Sequence, residues 1–216
     1  MNIEFDIPGK TFEHHFQDVF LTEDVLTPGE RSVLKGISVK RRMDFSTGRY
    51  CAREVLKKIG LPDAEILIGS KNEPLWPQGF VGSISHTKGL AGAVGARSSQ
   101  LISIGLDIEK TGRVKEGMWD ILFLPEEQEF LRSLTPEEQN FHTTLFFSMK
   151  ESFYKLQYPL TKEFLAFTDV LLEKHASSFR ISIPEAFSGK QLLPEYTAVH
   201  YTVYEDKLIT VCFIEK

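Results

Sequence analysis

Apolar and polar positions alternate strictly near the middle of this chain. From Leu101 to Ile108 the spacing predicts a strand, and in Ile104-Gly105-Leu106-Asp107-Ile108-Glu109 successive side chains fall on opposite faces. Leu106 and Ile108 then face a core, while Asp107 and Glu109 are aimed at one spot on the other side. A helical period appears at Val39, Met43, Tyr50, Val55, Leu56 and Ile59, with Gly60 and Pro62 as stop signals. Thr135-Pro136-Glu137-Glu138 supplies a cap, a first-turn proline and a capping-box acid, so a second long helix is predicted from there to Tyr158, where Pro159 ends it. It carries Phe146, Met149, Phe153 and Leu156 toward a core and Glu151 and Lys155 along a neighbouring stripe. Shorter helices are predicted to open at Thr27-Pro28-Gly29-Glu30 and at Pro125-Glu126-Glu127, with Met118 to Leu124 forming a mobile apolar turn of helix.

Strands are predicted at Val81 to His86, Thr168 to Leu172, Phe179 to Ile183, Thr197 to Tyr204 and Leu208 to Ile214, the last two joined as a hairpin by Glu205-Asp206-Lys207. Helix then strands, followed by helix then strands, predicts an α+β protein of two similar halves meeting near residue 105. The halves are 1–104 and 105–216, and the second carries the acids.

Two carboxylates on one spot repel unless a cation lies between them, and hard oxygen ligands suit magnesium, which takes one or two carboxylates plus water and phosphate oxygens. Glu151 adds a third acid, and Lys155, four residues on, shares its helix face. Bland counterparts stand beside these readings: a strand ending in solvent, and an ordinary helical ion pair. Arg42, Ser46, Arg49 and Arg53 fall along one stripe that suits either phosphate or solvent. His86 ends its strand alone, and His14, His15, His142, His175 and His200 offer no zinc spacing around it. Gly89, Gly92 and Gly95 recur every third residue, which close strand packing explains better than a dinucleotide fingerprint. Gly9-Lys10-Thr11 lacks the earlier glycine of a P-loop, because Glu4 stands there. Ser85-His86-Thr87-Lys88 and Lys110-Thr111-Gly112 match two motifs of serine acyl-enzymes, but they lie almost adjacent with no Ser-Asp-Asn between them.

Composition narrows the class. With 216 residues, 42% hydrophobic and 25% charged, the chain reads as one or two ordinary globular domains. Its net charge of −5 argues against general nucleic-acid binding. Cys51 and Cys212 each lie in an apolar-periodic segment, as buried thiols in a reducing, cytoplasmic compartment do. No signal-peptide pattern and no apolar run of bilayer length is present, so neither secretion nor membrane insertion is expected.

Four stretches fall in a specific order: Arg41 to Arg53; Trp76-Pro77-x-Gly79-x-x-Gly82-Ser83-Ile84-Ser85-His86; Ile104-Gly105-x-Asp107-x-Glu109; and Lys150-Glu151-Ser152-x-Tyr154-Lys155. Together they resemble the 4′-phosphopantetheinyl transferases of the surfactin-synthetase-activating class, most closely the branch containing enterobactin synthetase component D. The resemblance spans residues 40 to 165 and implies a holo-[acyl-carrier-protein] synthase. Such an enzyme moves phosphopantetheine from coenzyme A to a serine of an apo acyl or peptidyl carrier protein and releases adenosine 3′,5′-bisphosphate. It also implies a monomer of two pseudo-symmetric halves with the coenzyme in the cleft between them. Carried over by residue, Asp107, Glu109 and Glu151 hold Mg2+. Lys155, Ser85 and His86 meet the coenzyme's phosphates, Arg42 and Arg49 bind the adenosine-side phosphate, and Lys71 joins them. Glu151, or a water it positions, is the candidate base. Met118 to Phe123, with Trp119 and Phe123, serves either as part of a carrier-recognition surface or as core. An inactive module that binds coenzyme A or a nucleotide is the alternative function.

Overall fold

The computed structural model describes residues 3–7, 9–18, 20–175 and 178–216. Two compact units divide the chain. The first comprises Met1–Ile3, Pro8–Ile104 and Glu215–Lys216, and the second comprises Glu4–Ile7 and Gly105–Ile214.

In the first unit, strands β1 (Glu13–Gln17), β4 (Phe80–Thr87) and β5 (Leu90–Arg97) form an antiparallel sheet in the order β1-β5-β4. Helix α1 (Pro28–Arg31) is a single turn, and β2 (Leu67–Ile68) pairs with β3 (Pro74–Leu75). Helix α2 (Val39–Lys58) packs on the sheet, with Ser38 capping its start by accepting from Arg41 N. At its end Leu61 N donates to Leu56 O and Gly60 N to Lys57 O, a closure that needs the left-handed φ of +94° at Gly60. The buried face of α2 is made of small and medium residues, Gly48, Cys51, Ala52 and Val55, opposite Ala91 and Ala93 of β5. Val39, expected on the apolar stripe, is instead 68% exposed. Gly92 is paired with Phe16, whose ring lies where a Cβ would sit, so close strand packing does account for that glycine. Strand β1 went unpredicted because His14 and His15 blur its alternation.

In the second unit, β6 (Leu101–Lys110), β7 (Leu171–His175), β8 (Ser178–Ser182), β9 (Tyr196–Tyr204) and β10 (Lys207–Glu215) form a sheet ordered β6-β10-β9-β8-β7. Helices α3 (Trp119–Leu122) and α4 (Pro125–Arg132) precede α5 (Pro136–Thr161). Helix α5 starts in the predicted capping box of Thr135 and Glu138. It buries Leu145, Phe146, Met149, Phe153 and Leu156 in a core shared with Phe179, Leu208 and Cys212. It runs three residues past Tyr158, with Pro159 inside it, because a proline in the last turn removes one backbone bond while Lys162 N still closes on Tyr158 O. The strand expected from Thr168 begins at Leu171, after a 3-10 turn at Phe167–Asp169. Trp119 and Phe123 are core, at 2% and 1% exposed, while Met118 and Ile121 face solvent. Of the two readings left open for them, packing therefore decides for the interior. Cys51 and Cys212 are both buried, and burial pushes each thiol up to about 12, leaving them inert at neutral pH. Among the described residues no helix is long and apolar enough to cross a membrane.

Gly105 marks the tightest contact between β6 and α5: a Cβ there would lie 1.9 Å from the carbonyl oxygen of Ser152. Even the smallest side chain therefore forces strand and helix apart. Gly105→Ala is expected to cost on the order of 1–3 kcal/mol of stability, read by chemical denaturation. An unchanged midpoint would contradict this approach of backbone to backbone.

Candidate active site

Asp107 and Glu109 project from β6 on one face, and both are buried. Above the Gly105 contact, α5 presents Ser148, Glu151 and Lys155, which share a helix face at spacings of three and four residues. Lys155 Nζ lies 2.6 Å from Asp107 Oδ1, and Ser148 Oγ donates to Asp107 Oδ2 at 2.9 Å. Behind Ser148, its Oγ lies 2.9 Å from Thr210 Oγ1 of β10. Arg113, in the turn after β6, pairs with Glu109 at 3.0 Å.

The acids repel one another. Burial first, then the Asp107 charge, pushes the Glu109 carboxyl up to about 7, against the pull of Arg113 and Lys155. Burial likewise raises Glu151, opposed by Lys155 and reinforced by Asp107. Beside Glu151 lies a cavity of about 200 Å³ lined by Phe153, Tyr154, Phe164, Leu165 and Phe167, with the Lys150 stem on its wall. Lys150 does not serve the site directly. Its ammonium is buried 2.6 Å from Glu127 and also donates to Leu122 O and Phe167 O, while Glu127 accepts from Leu124 N and Leu172 N. Every charge-bearing atom of this pair is thus met, which is what burial of an ion pair requires. Consecutive residues of α5 therefore differ in their charged ends, the Lys150 ammonium closed on Glu127 while Glu151 shares a helix face with Ser148 and Lys155.

In the first unit the cationic stripe does not gather. Arg42 lies 3.5 Å from Glu23 and bonds Ile37 O, whereas Arg53 is committed to buried Glu30 and to Val25 O. Arg49 differs from both. It is buried, its Nη2 reaches Leu67 O at 3.4 Å, its guanidinium lies 4.5 Å from the Phe45 ring centroid, and its Nε has no hydrogen-bond partner among the described residues. Desolvation lowers it to about 10, so it still carries its charge at neutral pH. Lys71 is exposed in the turn between β2 and β3, where its backbone N donates to Glu73. On β4, Ser85 turns to the buried side and His86 to the exposed side, with His86 Nδ1 4.0 Å from Asp44. The Trp76 ring lies against Gly82, where any Cβ would collide with it.

The sequence points to the acids and Lys155 but not to Ser148, Thr210, Arg113 or the Lys150–Glu127 pair that the structure sets around them. Ser148 was within reach, since it lies one helical turn before Glu151. Thr210 was not, because only tertiary pairing brings it there.

Two family models cover most of the chain. The 4′-phosphopantetheinyl transferase N-terminal domain matches residues 30–96, and the 4′-phosphopantetheinyl transferase superfamily matches residues 103–212. The chain belongs to the 4′-phosphopantetheinyl transferase superfamily, a class of enzymes that use coenzyme A and act on carrier proteins. It is 39% identical over 166 residues to the 4′-phosphopantetheinyl transferase PptT of Mycobacterium tuberculosis, covering 76% of this chain and 73% of that one. With the transferase Svp of Streptomyces mobaraensis it shares 35% over 189 residues, covering 84% and 76%. With the enterobactin synthase component D of Salmonella typhimurium it shares 33% over 202 residues, covering 90% and 79%.

The Glu109 shift has a testable sign. Its folded-state carboxyl holds a proton more tightly than in the unfolded chain, so this group favours folding at acid pH and that contribution is lost as pH rises from its ordinary value of 4.5 through about 7. Glu109→Gln should therefore raise the Tm of metal-free protein at pH 8 relative to wild type, with the gain gone by pH 4. A gain independent of pH would contradict the cause given.

Proposed function

We propose that this chain transfers the phosphopantetheine group of coenzyme A to a serine of an apo carrier protein, in a magnesium-dependent step. The serine oxygen forms a bond to the pantetheine-side phosphorus as the pyrophosphate bridge breaks, and adenosine 3′,5′-bisphosphate leaves. The observation that carries this reading is the buried carboxylate pair of Asp107 and Glu109, with Lys155 against Asp107 and Glu151 raised beside them.

Asp107, Glu109 and Glu151 are the proposed metal ligands. Among the described residues no three such side chains stand as a ready cage, yet the oxygen donor set fits magnesium, which fills its remaining positions with water and phosphate oxygens. Burial first, and then the Asp107 charge, raises Glu109 and Glu151, and a bound cation would offset both costs. When bound, the metal would supply charge stabilisation to the pyrophosphate. The side chains do the rest. Lys155, only partly buried at 28% side-chain exposure, exchanges Asp107 for a phosphate oxygen. Arg49, a buried cation with an unmet Nε, receives the adenosine-side phosphate, helped by Arg42 and Lys71, while His86, on the exposed face of β4, lines the phosphates and Ser85, on the opposite face, does not reach them with its side chain. The apolar cavity beside Glu151 excludes water and holds the dimethyl-bearing pantetheine arm. A carboxyl raised toward neutrality is suited to take a proton, so Glu151 accepts it from the attacking serine, directly or through a water. The enzyme acts as a monomer on acyl or peptidyl carriers.

Intact mass spectrometry of several apo carriers, incubated with the protein and coenzyme A with and without magnesium, tests this. The expected result is one added phosphopantetheine only when both enzyme and metal are present. Asp107→Ala should abolish the gain, and Lys155→Ala should slow it by about 10²-fold or more while the protein stays folded. Full transfer by Asp107→Ala would overturn the metal assignment. Coenzyme binding with no transfer to any carrier would favour a module that has lost its chemistry.

A further inference from the structure

We propose that Ser148, backed by Thr210, is a positioning residue that fixes the Asp107 carboxylate in the orientation needed to meet a divalent cation. The inference rests on the metal role proposed for Asp107. Three hydrogen bonds carry it: Ser148 Oγ to Asp107 Oδ2 at 2.9 Å, Ser148 Oγ to Thr210 Oγ1 at 2.9 Å, and Thr210 Oγ1 to Ser148 O at 2.9 Å.

The proton count gives this chain a direction. An ionised carboxylate only accepts, so Ser148 must use its single hydroxyl proton on Asp107. Its oxygen is then free to accept, and Thr210 is the donor, sharing its proton between the hydroxyl and the carbonyl oxygen of Ser148. Ser148 and Thr210 are fully buried and Asp107 is 4% exposed, so solvent has little access to loosen the arrangement. The participants sit on β6, α5 and β10, of which β6 and β10 are neighbours in one sheet and β6 meets α5 at the close approach of Gly105 to Ser152.

Asp107 is consequently held from two directions, Oδ2 by Ser148 and Oδ1 by Lys155. The two donors differ in stiffness. Ser148 has one side-chain torsion and a packed setting, whereas the Lys155 ammonium ends a long, partly exposed stem. Remove the hydroxyl and Oδ2 loses its short, buried donor, so the carboxylate is freer to turn toward Lys155 and close on it as an ion pair. An oxygen oriented for a cation is then lost, although the charge is unchanged. Outer hydrogen bonds of this kind typically contribute 10–100-fold to metal affinity.

The test is a manganese titration of the full chain, followed by the paramagnetic resonance of free manganese, together with the half-saturating magnesium concentration and the KM for coenzyme A in the transfer assay. Ser148→Ala should weaken manganese binding about tenfold or more and raise the magnesium requirement in step, with KM for coenzyme A unchanged at saturating magnesium. Ser148→Thr should restore both, and Thr210→Val should shift both in the same direction by less. Wild-type manganese affinity in a Ser148→Ala protein that keeps its fold overturns the proposal. If Ser148→Ala does not fold, Thr210→Val decides, and wild-type affinity there overturns it equally. Failure of the underlying reading looks different: Asp107→Ala binding manganese as tightly as wild type, or wild type binding none, removes the metal from Asp107 and the role of Ser148 with it.

Discussion

At Gly105 the backbone of β6 passes so close to Ser152 of α5 that no side chain fits between them, and the chemistry of the second unit depends on that approach. Two residues along the strand, Asp107 stands within hydrogen-bond reach of Ser148 and in contact with Lys155, side chains on the turns of α5 either side of Ser152. A wider separation would leave the strand carboxylates and the helix cation too far apart to share a ligand. Burial of the acids is thus a consequence of backbone packing, and their raised carboxyls follow from that burial.

Polar groups inside this protein fall into two kinds. Some are closed networks: Lys150 with Glu127, and Arg53 with Glu30, each bound also to backbone groups that tie separate elements together. Such pairs fix geometry and take no further partner. Others are only partly met. Arg49 has a buried Nε without a partner among the described residues, and Glu109 and Glu151 are held in like-charge company. Groups of this second kind are incompletely compensated inside the protein, and perturbed groups of that sort cluster at functional sites.

Legibility in the sequence followed the same division between local and long-range determinants. Helix α5 and strand β6 were readable because capping residues, apolar period and alternation are all local signals, and so were Asp107, Glu109, Glu151 and Lys155 on their faces. Helix α2 was readable as a helix but not as to its buried face, since packing by Gly48, Cys51 and Ala52 escapes a search for large apolar residues. Apart from the core assignment of Trp119 and Phe123, which aromatic character alone does not distinguish from a surface, and strand β1, whose alternation His14 and His15 blur, the gaps were tertiary. Thr210 meets Ser148 across sixty-two residues, and Arg53 meets Glu30 rather than its stripe neighbours. No local pattern encodes either meeting.

The faces of β6 and α5 brought together at Gly105 are proposed to form a divalent-cation site for coenzyme A. Anomalous diffraction from crystals grown with manganese and coenzyme A tests it most directly. One anomalous peak is expected at direct oxygen-ligand distance from Asp107 and at least one of Glu109 and Glu151, with a coenzyme phosphate oxygen completing the contact. A peak held by other residues, or bound coenzyme with Lys155 still closed on Asp107 and no metal beside it, would contradict the account.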